Sequence, residues 1–141
     1  MKIEDFGKWA FAEVALLALT FIAGMGINLF VNIPSDVNAA AFWESGGAWV
    51  VRVHMLLGTL ILAIAIVLFI NARKFRYMKQ DIKTPSLVGL ISVAVAFAAG
   101  LIFLFVGADS IFSYVMALGF LFAIISYVLM LSILVHGKRS L

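Results

Sequence analysis

One histidine, His54, lies within an apolar run long enough to cross a membrane. The run covers residues 49–71 and reads WVVRVHMLLGTLILAIAIVLFIN. Polar groups inside a spanning helix are energetically costly, and are therefore candidates for function. Neutral imidazole coordinates iron and copper, donates hydrogen bonds and titrates near physiological pH. We therefore predict His54 to be an axial ligand of a haem iron or a hydrogen-bond donor to a quinone.

Other residues predicted at the depth of His54 could complete such a site. Gly58 follows His54 by one helical turn, where a missing side chain leaves room for a porphyrin edge. Met25 or Met116 could supply a second axial ligand, since histidine and methionine together hold haem iron in some cytochromes. The same pocket is predicted to include Asn28, Arg52, Ser113 and Tyr114. An alternative without a cofactor is that His54 only hydrogen-bonds to Ser113, Tyr114 or Asn28.

Arg52 is the basic residue nearest to this pocket. It precedes His54 by two residues, so it lies on a different face of the helix and can extend its charge towards water. We predict that it pairs with Asp109 or Glu44 at the rim of the bundle. The alternative is an anionic ligand group, such as a haem propionate.

A second polar cluster is predicted near the opposite membrane face, around Glu13. An isolated carboxylate in a low-dielectric environment is unfavourable, so Glu13 should be paired or protonated. The predicted partners are His136, Tyr127 or Lys8. The cluster is either a structural hydrogen bond or part of a proton relay. The helices offer mostly apolar residues between the two clusters, which disfavours a continuous proton pathway.

Composition shows which elements must position these residues. Of the 141 residues, 65% are apolar and 12% are charged, and the mean hydropathy is +1.19. Apolar runs of spanning length lie at about 9–31, 50–71, 86–106 and 111–135. The first run is predicted to be a retained span rather than a cleaved signal peptide. The expected fold is an all-α, up-down-up-down transmembrane four-helix bundle, with residues 1–141 forming a single domain.

The basic residues predict the orientation of this bundle. Nine of the ten lie before span one, between spans two and three, or after span four. The positive-inside rule then places both termini in the cytoplasm of a multi-pass plasma-membrane protein. This pattern explains the net charge of +3 without nucleic-acid binding. On the outer side, residues 35–46 are predicted to form a short interfacial helix.

Several chemistries lack their sequence signatures. The chain has no cysteine, which excludes disulfides and thiolate metal sites. It also has no glycine-rich phosphate loop, no His-Glu-x-x-His helix and no nucleophile elbow. The sequence assigns no reaction, and leaves open whether the protein is an enzyme.

Three segments carry a resemblance to known proteins: GMGINLFVNIP, VRVHMLLGTLILAIAIVLFINAR and SYVMALGFLFAIISYVLML. They resemble a family of uncharacterised small four-span membrane proteins of archaea and actinobacteria. More distantly, the chain looks like half of a haem A synthase or a related b-type cytochrome bundle, which implies haem between helices near the outer face. That family pairs the span-two histidine with one at similar depth on span four. Here that region has Ser113, Tyr114 and Met116, and His136 lies at the other end of the span.

Two functions are therefore expected. The first is a small membrane protein that binds haem b or a quinone and is associated with respiratory electron transfer. The second is a non-catalytic accessory or assembly subunit of a larger membrane complex or homo-oligomer. In the second case, the Gly and Ala faces of span three would form the docking surface, since small residues let helices approach closely in lipid. Substituting Ala96 by Leu is then expected to break the association.

Overall fold

The chain forms four long helices. The computed structural model describes residues 2–31, 43–44, 46–74, 81–106 and 110–137. Within these residues the helices are α1 (Ile3–Phe30), α2 (Ala48–Ala72), α3 (Lys83–Phe105) and α4 (Ser110–Gly137). Each is long and apolar enough to cross a membrane. The prediction of an all-helical, four-span bundle is confirmed.

The helices form a ring in which each packs against two neighbours. α1 contacts α2 and α4, and α3 contacts the same two helices. Gly24 near the end of α1 meets His54 near the start of α2, and Gly89 near the start of α3 meets Tyr127 in the second half of α4. Consecutive helices are therefore antiparallel. We call the end of the bundle that carries both chain termini the termini end, and the opposite end the far end.

Burial along α1 follows the helical repeat. Its buried residues recur every three or four positions from Phe6 through Ala10, Glu13 and Leu17 to Thr20, and Ile27 follows two turns later. This spacing places them on one face, which packs into a core shared with the other helices. Large apolar side chains cover the outside, including Phe30, Leu56 and Leu129. An apolar exterior on helices of this length is suited to contact with lipid.

At Gly119 of α4, the backbones of α3 and α4 approach closely. A Cβ atom added to Gly119 would lie 2.8 Å from the Ala96 Cβ and 2.9 Å from the Ser92 carbonyl oxygen. Only glycine fits this position without moving a neighbour. Ala96 is itself buried, so its methyl group lies inside the chain's own bundle. The predicted use of Ala96 as a docking residue is therefore wrong, because its surface is already covered by α4.

The predicted interfacial helix at residues 35–46 lies mostly outside the described residues. Only Trp43, Glu44 and Gly46 of this segment are described, and the first two have helical backbone geometry. Asp109, one predicted partner of Arg52, also lies outside the described residues.

Candidate functional site

His54 lies in the second turn of α2 and packs against α1. Its Cε1 is 3.0 Å, and each ring nitrogen 3.7 Å, from the position that a Gly24 Cβ would occupy. The imidazole therefore fills space left by a missing side chain on the neighbouring helix. The imidazole also has a hydrogen-bonding contact with the backbone of Thr20, one turn before Gly24. These contacts fix His54 between α1 and α2.

One nitrogen of His54 has no partner. Nδ1 is buried and makes no hydrogen bond with any residue that the structure describes. Buried polar atoms in proteins are nearly always hydrogen-bonded, so such an atom calls for an explanation. An imidazole nitrogen can donate to a carbonyl oxygen, accept from a hydroxyl or coordinate a metal, depending on its tautomer. The site is chemically able to hold a small polar group or a metal centre.

The residues predicted around His54 are only partly brought together. Gly58 faces α3, where its Cβ position is 3.8 Å from the Phe97 ring. The Met116 sulfur lies 3.1 Å from the Cβ position of Gly100 on α3, whereas the Met25 side chain is 51% exposed. Gly58 is therefore covered by an aromatic ring, Met116 packs against α3, and Met25 of α1 is largely exposed.

The polar residues predicted for the same pocket lie farther out. The side chains of Asn28 and Tyr114 are exposed, and Ser113 is half-buried. None of them hydrogen-bonds to the buried Nδ1 of His54. The predicted local hydrogen bonds are therefore not made at this nitrogen.

Arg52 contacts an aromatic residue instead of a carboxylate. Its Nη2 donates to the Trp43 carbonyl oxygen at 2.7 Å, and its guanidinium lies 5.7 Å from the centroid of the Trp43 ring. Among the described residues Arg52 forms no ion pair with Glu44. The prediction of that pair is wrong, because hydrogen bonding and a cation–π contact at Trp43 already hold the guanidinium.

Of the three residues predicted as partners of Glu13, two make other contacts. His136 is exposed and its Nδ1 lies 2.8 Å from the Ser132 carbonyl oxygen, and the Lys8 amine lies 4.0 Å from Asp5. Both are therefore engaged on their own helices rather than with Glu13. Tyr127, by contrast, is fully buried and interacts electrostatically with Glu13.

Two further buried hydroxyls were missed by sequence reasoning. Thr20 and Ser86 are both fully buried, and neither side-chain oxygen has a hydrogen-bond partner among the described residues. The spacing of seven residues from Glu13 could have placed Thr20 on the same face of α1. No comparable signal was available for Ser86, because its burial depends on which neighbours α3 receives.

Metal binding by protein side chains alone has little support in the described part of the chain. No group of three or more His, Cys, Asp or Glu residues converges there. A haem or a quinone does not need such a group, since one imidazole can hold either. The candidate ligand chemistry is therefore that of His54 by itself.

The fold and these two polar regions define a small four-span membrane protein. Comparison of the chain with protein-family models, characterised proteins and solved structures found no match in any of the three.

Proposed function

We propose that the protein is a small membrane component of respiratory electron transfer that binds a quinone at His54. The observation that carries this proposal is the buried Nδ1, which has no hydrogen-bond partner among the described residues. A quinone carbonyl oxygen is a suitable acceptor for an imidazole N–H, and the rest of a quinone is compatible with an apolar helix bundle. The bound quinone would supply the redox chemistry, and His54 would orient it.

Haem b is the second ligand considered for His54. The imidazole could serve as one axial ligand, but the residues predicted as the other ligand are engaged elsewhere. The Met116 sulfur packs on Gly100 at 3.1 Å from its Cβ position, and Met25 is half-exposed. A quinone requires only the single donor that His54 provides. We therefore favour the quinone.

The test is to purify the protein from its native membrane in mild detergent. Quinones are extracted into organic solvent and quantified against protein, and absorption spectra are recorded before and after dithionite. The matched variants are His54→Ala and His136→Ala, because His136 is exposed and interacts with its own helix. We expect quinone to copurify with the wild type and His136→Ala, and to be lost from His54→Ala.

Each other outcome contradicts part of the proposal. A Soret band that disappears in His54→Ala would replace the quinone by haem b. Quinone retained equally by all three proteins would remove His54 as its ligand. A protein with neither cofactor would overturn the redox function, and favour the accessory-subunit or homo-oligomer hypothesis.

The accessory-subunit hypothesis needs a different test residue from the one the sequence indicated. A Leu at position 96 would clash inside the bundle, where Ala96 and Gly119 are in close contact. Ala94 and Ala98 on α3 are exposed, so Ala98→Leu alters the outer surface without filling the core. Loss of a copurifying chain in Ala98→Leu, but not in His54→Ala, is the result that this hypothesis predicts.

We also propose that the termini end faces the cytoplasm and that the protein resides in the plasma membrane. The support is the distribution of charge, since nine of ten basic residues lie near the chain termini, or in or directly next to the connection between α2 and α3. Such an asymmetry is the main sequence determinant of orientation.

A further inference from the structure

Three fully buried side chains on three different helices have unpaired polar atoms. They are Glu13 of α1, Ser86 of α3 and Tyr127 of α4. Both carboxyl oxygens and both hydroxyl oxygens lack a hydrogen-bond partner among the described residues. One such group would be an exception to the general satisfaction of buried polar atoms. Three of them in the bundle interior indicate a site built to hold something polar.

Tyr127 connects the other two members. Its ring fits against Gly89 of α3, whose Cβ position would lie 2.7 Å from the carbon that bears the phenol oxygen. Ser86 precedes Gly89 by three residues, so both lie on the same face of α3. Glycine at position 89 therefore lets the hydroxyl end of Tyr127 approach α3 near Ser86. Glu13 and Tyr127 are both fully buried on helices that pack against each other, and the charge of Glu13 influences the Tyr127 phenol.

No positive side chain in the described chain compensates an ionised Glu13. On α1, Lys8 is exposed and lies next to Asp5, and on α4, His136 is exposed. Arg73, at the end of α2, is exposed with its guanidinium over the Phe69 ring. Lys83, at the start of α3, is exposed as well. The buried residues that α2 contributes at this depth are apolar: Ile64, Ala65, Leu68 and Ala72.

An uncompensated carboxylate in a low-dielectric interior is strongly unfavourable, and the usual remedy is to bind a proton. The site has one acidic side chain and two neutral hydroxyl groups, so one positive charge neutralises it. The chemistry therefore fits a proton.

The site is closer to water at the termini end than at the far end. A groove of about 510 Å³ runs between α1 and α4 there, lined by residues that include Gly7, Phe11 and Leu131. Phe11 precedes Glu13 by two residues, and Leu131 follows Tyr127 by one turn. Towards the far end, the next polar side chain on this face of α1 is Thr20, seven residues or about 10 Å along the helix. Leu17, fully buried, lies between them.

We propose that Glu13, Tyr127 and Ser86 form a proton-binding site that exchanges with the aqueous phase at the termini end. Glu13 binds one proton as a carboxylic acid and releases the same proton to water as a carboxylate. The Tyr127 and Ser86 hydroxyls, bridged to the carboxyl by water, donate hydrogen bonds to the ionised form. The site is distinct from His54, and does not depend on whether His54 binds a cofactor.

The test is infrared difference spectroscopy of the full-length protein in liposomes, stepped from neutral to alkaline pH. Exposed carboxyl groups are already ionised at neutral pH, so a C=O band of a protonated carboxylic acid reports a buried one. The matched variants are Glu13→Gln and Glu4→Gln, both on α1, the second at an exposed position that borders the groove. We expect the wild type and Glu4→Gln to lose the band on alkalinisation, and Glu13→Gln to lack it throughout.

Other results overturn the proposal. A wild type without the band, or a Glu13→Gln variant that keeps it, would show that Glu13 is not the proton carrier. Sodium ions that shift the titration would show that the site takes a metal cation instead.

A second measurement on the wild type covers the case in which Glu13→Gln does not fold. Hydrophobic carbodiimides react with protonated carboxyl groups in membranes. Mass spectrometry is expected to find the adduct on Glu13, with less of it after alkaline treatment. Absence of label on Glu13, or labelling that does not change with pH, would contradict the proposal.

Discussion

Replacing Gly119 by Ala is expected to destabilise the bundle, although alanine is the better helix former. The added Cβ would lie 2.8 Å from the Ala96 Cβ and 2.9 Å from the Ser92 carbonyl oxygen. Ordinary carbon–carbon contacts lie at about 3.5–4.0 Å, so α3 and α4 must move apart by about 1 Å. Neither neighbour is a flexible side chain that could turn away. The strain must therefore be relieved by moving a helix.

The size of this effect follows from two opposing contributions. Overpacking of a close-packed interior typically costs about 1–3 kcal/mol. Replacing Gly by Ala in a helix interior contributes about 1 kcal/mol in the opposite direction. We therefore expect the free energy of unfolding of Gly119→Ala to fall by up to about 2 kcal/mol. The assay is reversible unfolding in mixed detergent micelles, followed by circular dichroism.

The matched control is Gly26→Ala on α1. No atom lies within 4 Å of its Cβ position, so only the helix-propensity gain applies, and stability should be unchanged or higher. A double variant, Gly119→Ala with Ala96→Gly, removes the contact between Cβ atoms but leaves the one to the Ser92 carbonyl. We expect Gly119→Ala to cost less in the Ala96→Gly background than in the wild type. Equal stability of Gly119→Ala and Gly26→Ala would refute the reasoning.

Two further predictions concern the His54 site and the orientation. Gly24→Ala places a Cβ 3.0 Å from the His54 ring, which can shift to make room. We therefore expect the amount of bound quinone to decrease, while the free energy of unfolding changes by less than about 1 kcal/mol. Bound quinone equal to that of Gly26→Ala would argue against the site. Because the chain has no cysteine, Glu4→Cys and Gly46→Cys each introduce a single thiol at an exposed position. A membrane-impermeant maleimide added to intact cells should label Gly46→Cys alone, and labelling of only Glu4→Cys would reverse the proposed orientation.

The fold was largely predictable because lipid leaves few alternatives. A chain in hydrocarbon must satisfy its backbone hydrogen bonds internally, so apolar runs of spanning length become helices. The runs around residues 50–71 and 86–106 each correspond to one helix, α2 and α3. The short connection between α3 and α4 makes these two helices antiparallel neighbours. The same reasoning identified His54 and Glu13 as costly polar groups, since that depends on their position in a run rather than on their contacts.

Partners across the bundle were not predictable in the same way. The similar predicted membrane depth of His54 and Met116 suggested that they share a pocket. The rotation of each helix about its axis instead places His54 against Gly24 and Met116 against Gly100. Depth also offered His136 as a partner of Glu13, whereas His136 faces outward. Helix rotation depends on the packing of all four helices together, which the apolar pattern specifies weakly because both the lipid-facing and the core-facing sides are apolar.

The sequence by itself determined that this protein has four spanning helices and two costly polar residues, since both follow from local hydrophobicity. Only the tertiary structure decided that Ala96 lies inside the bundle. It also decided that Tyr127 and Ser86, rather than His136 or Lys8, are buried with Glu13. The physical reason is that helix formation in lipid is a local requirement, whereas partner choice depends on close contacts such as Gly89 with Tyr127 and Gly119 with Ala96.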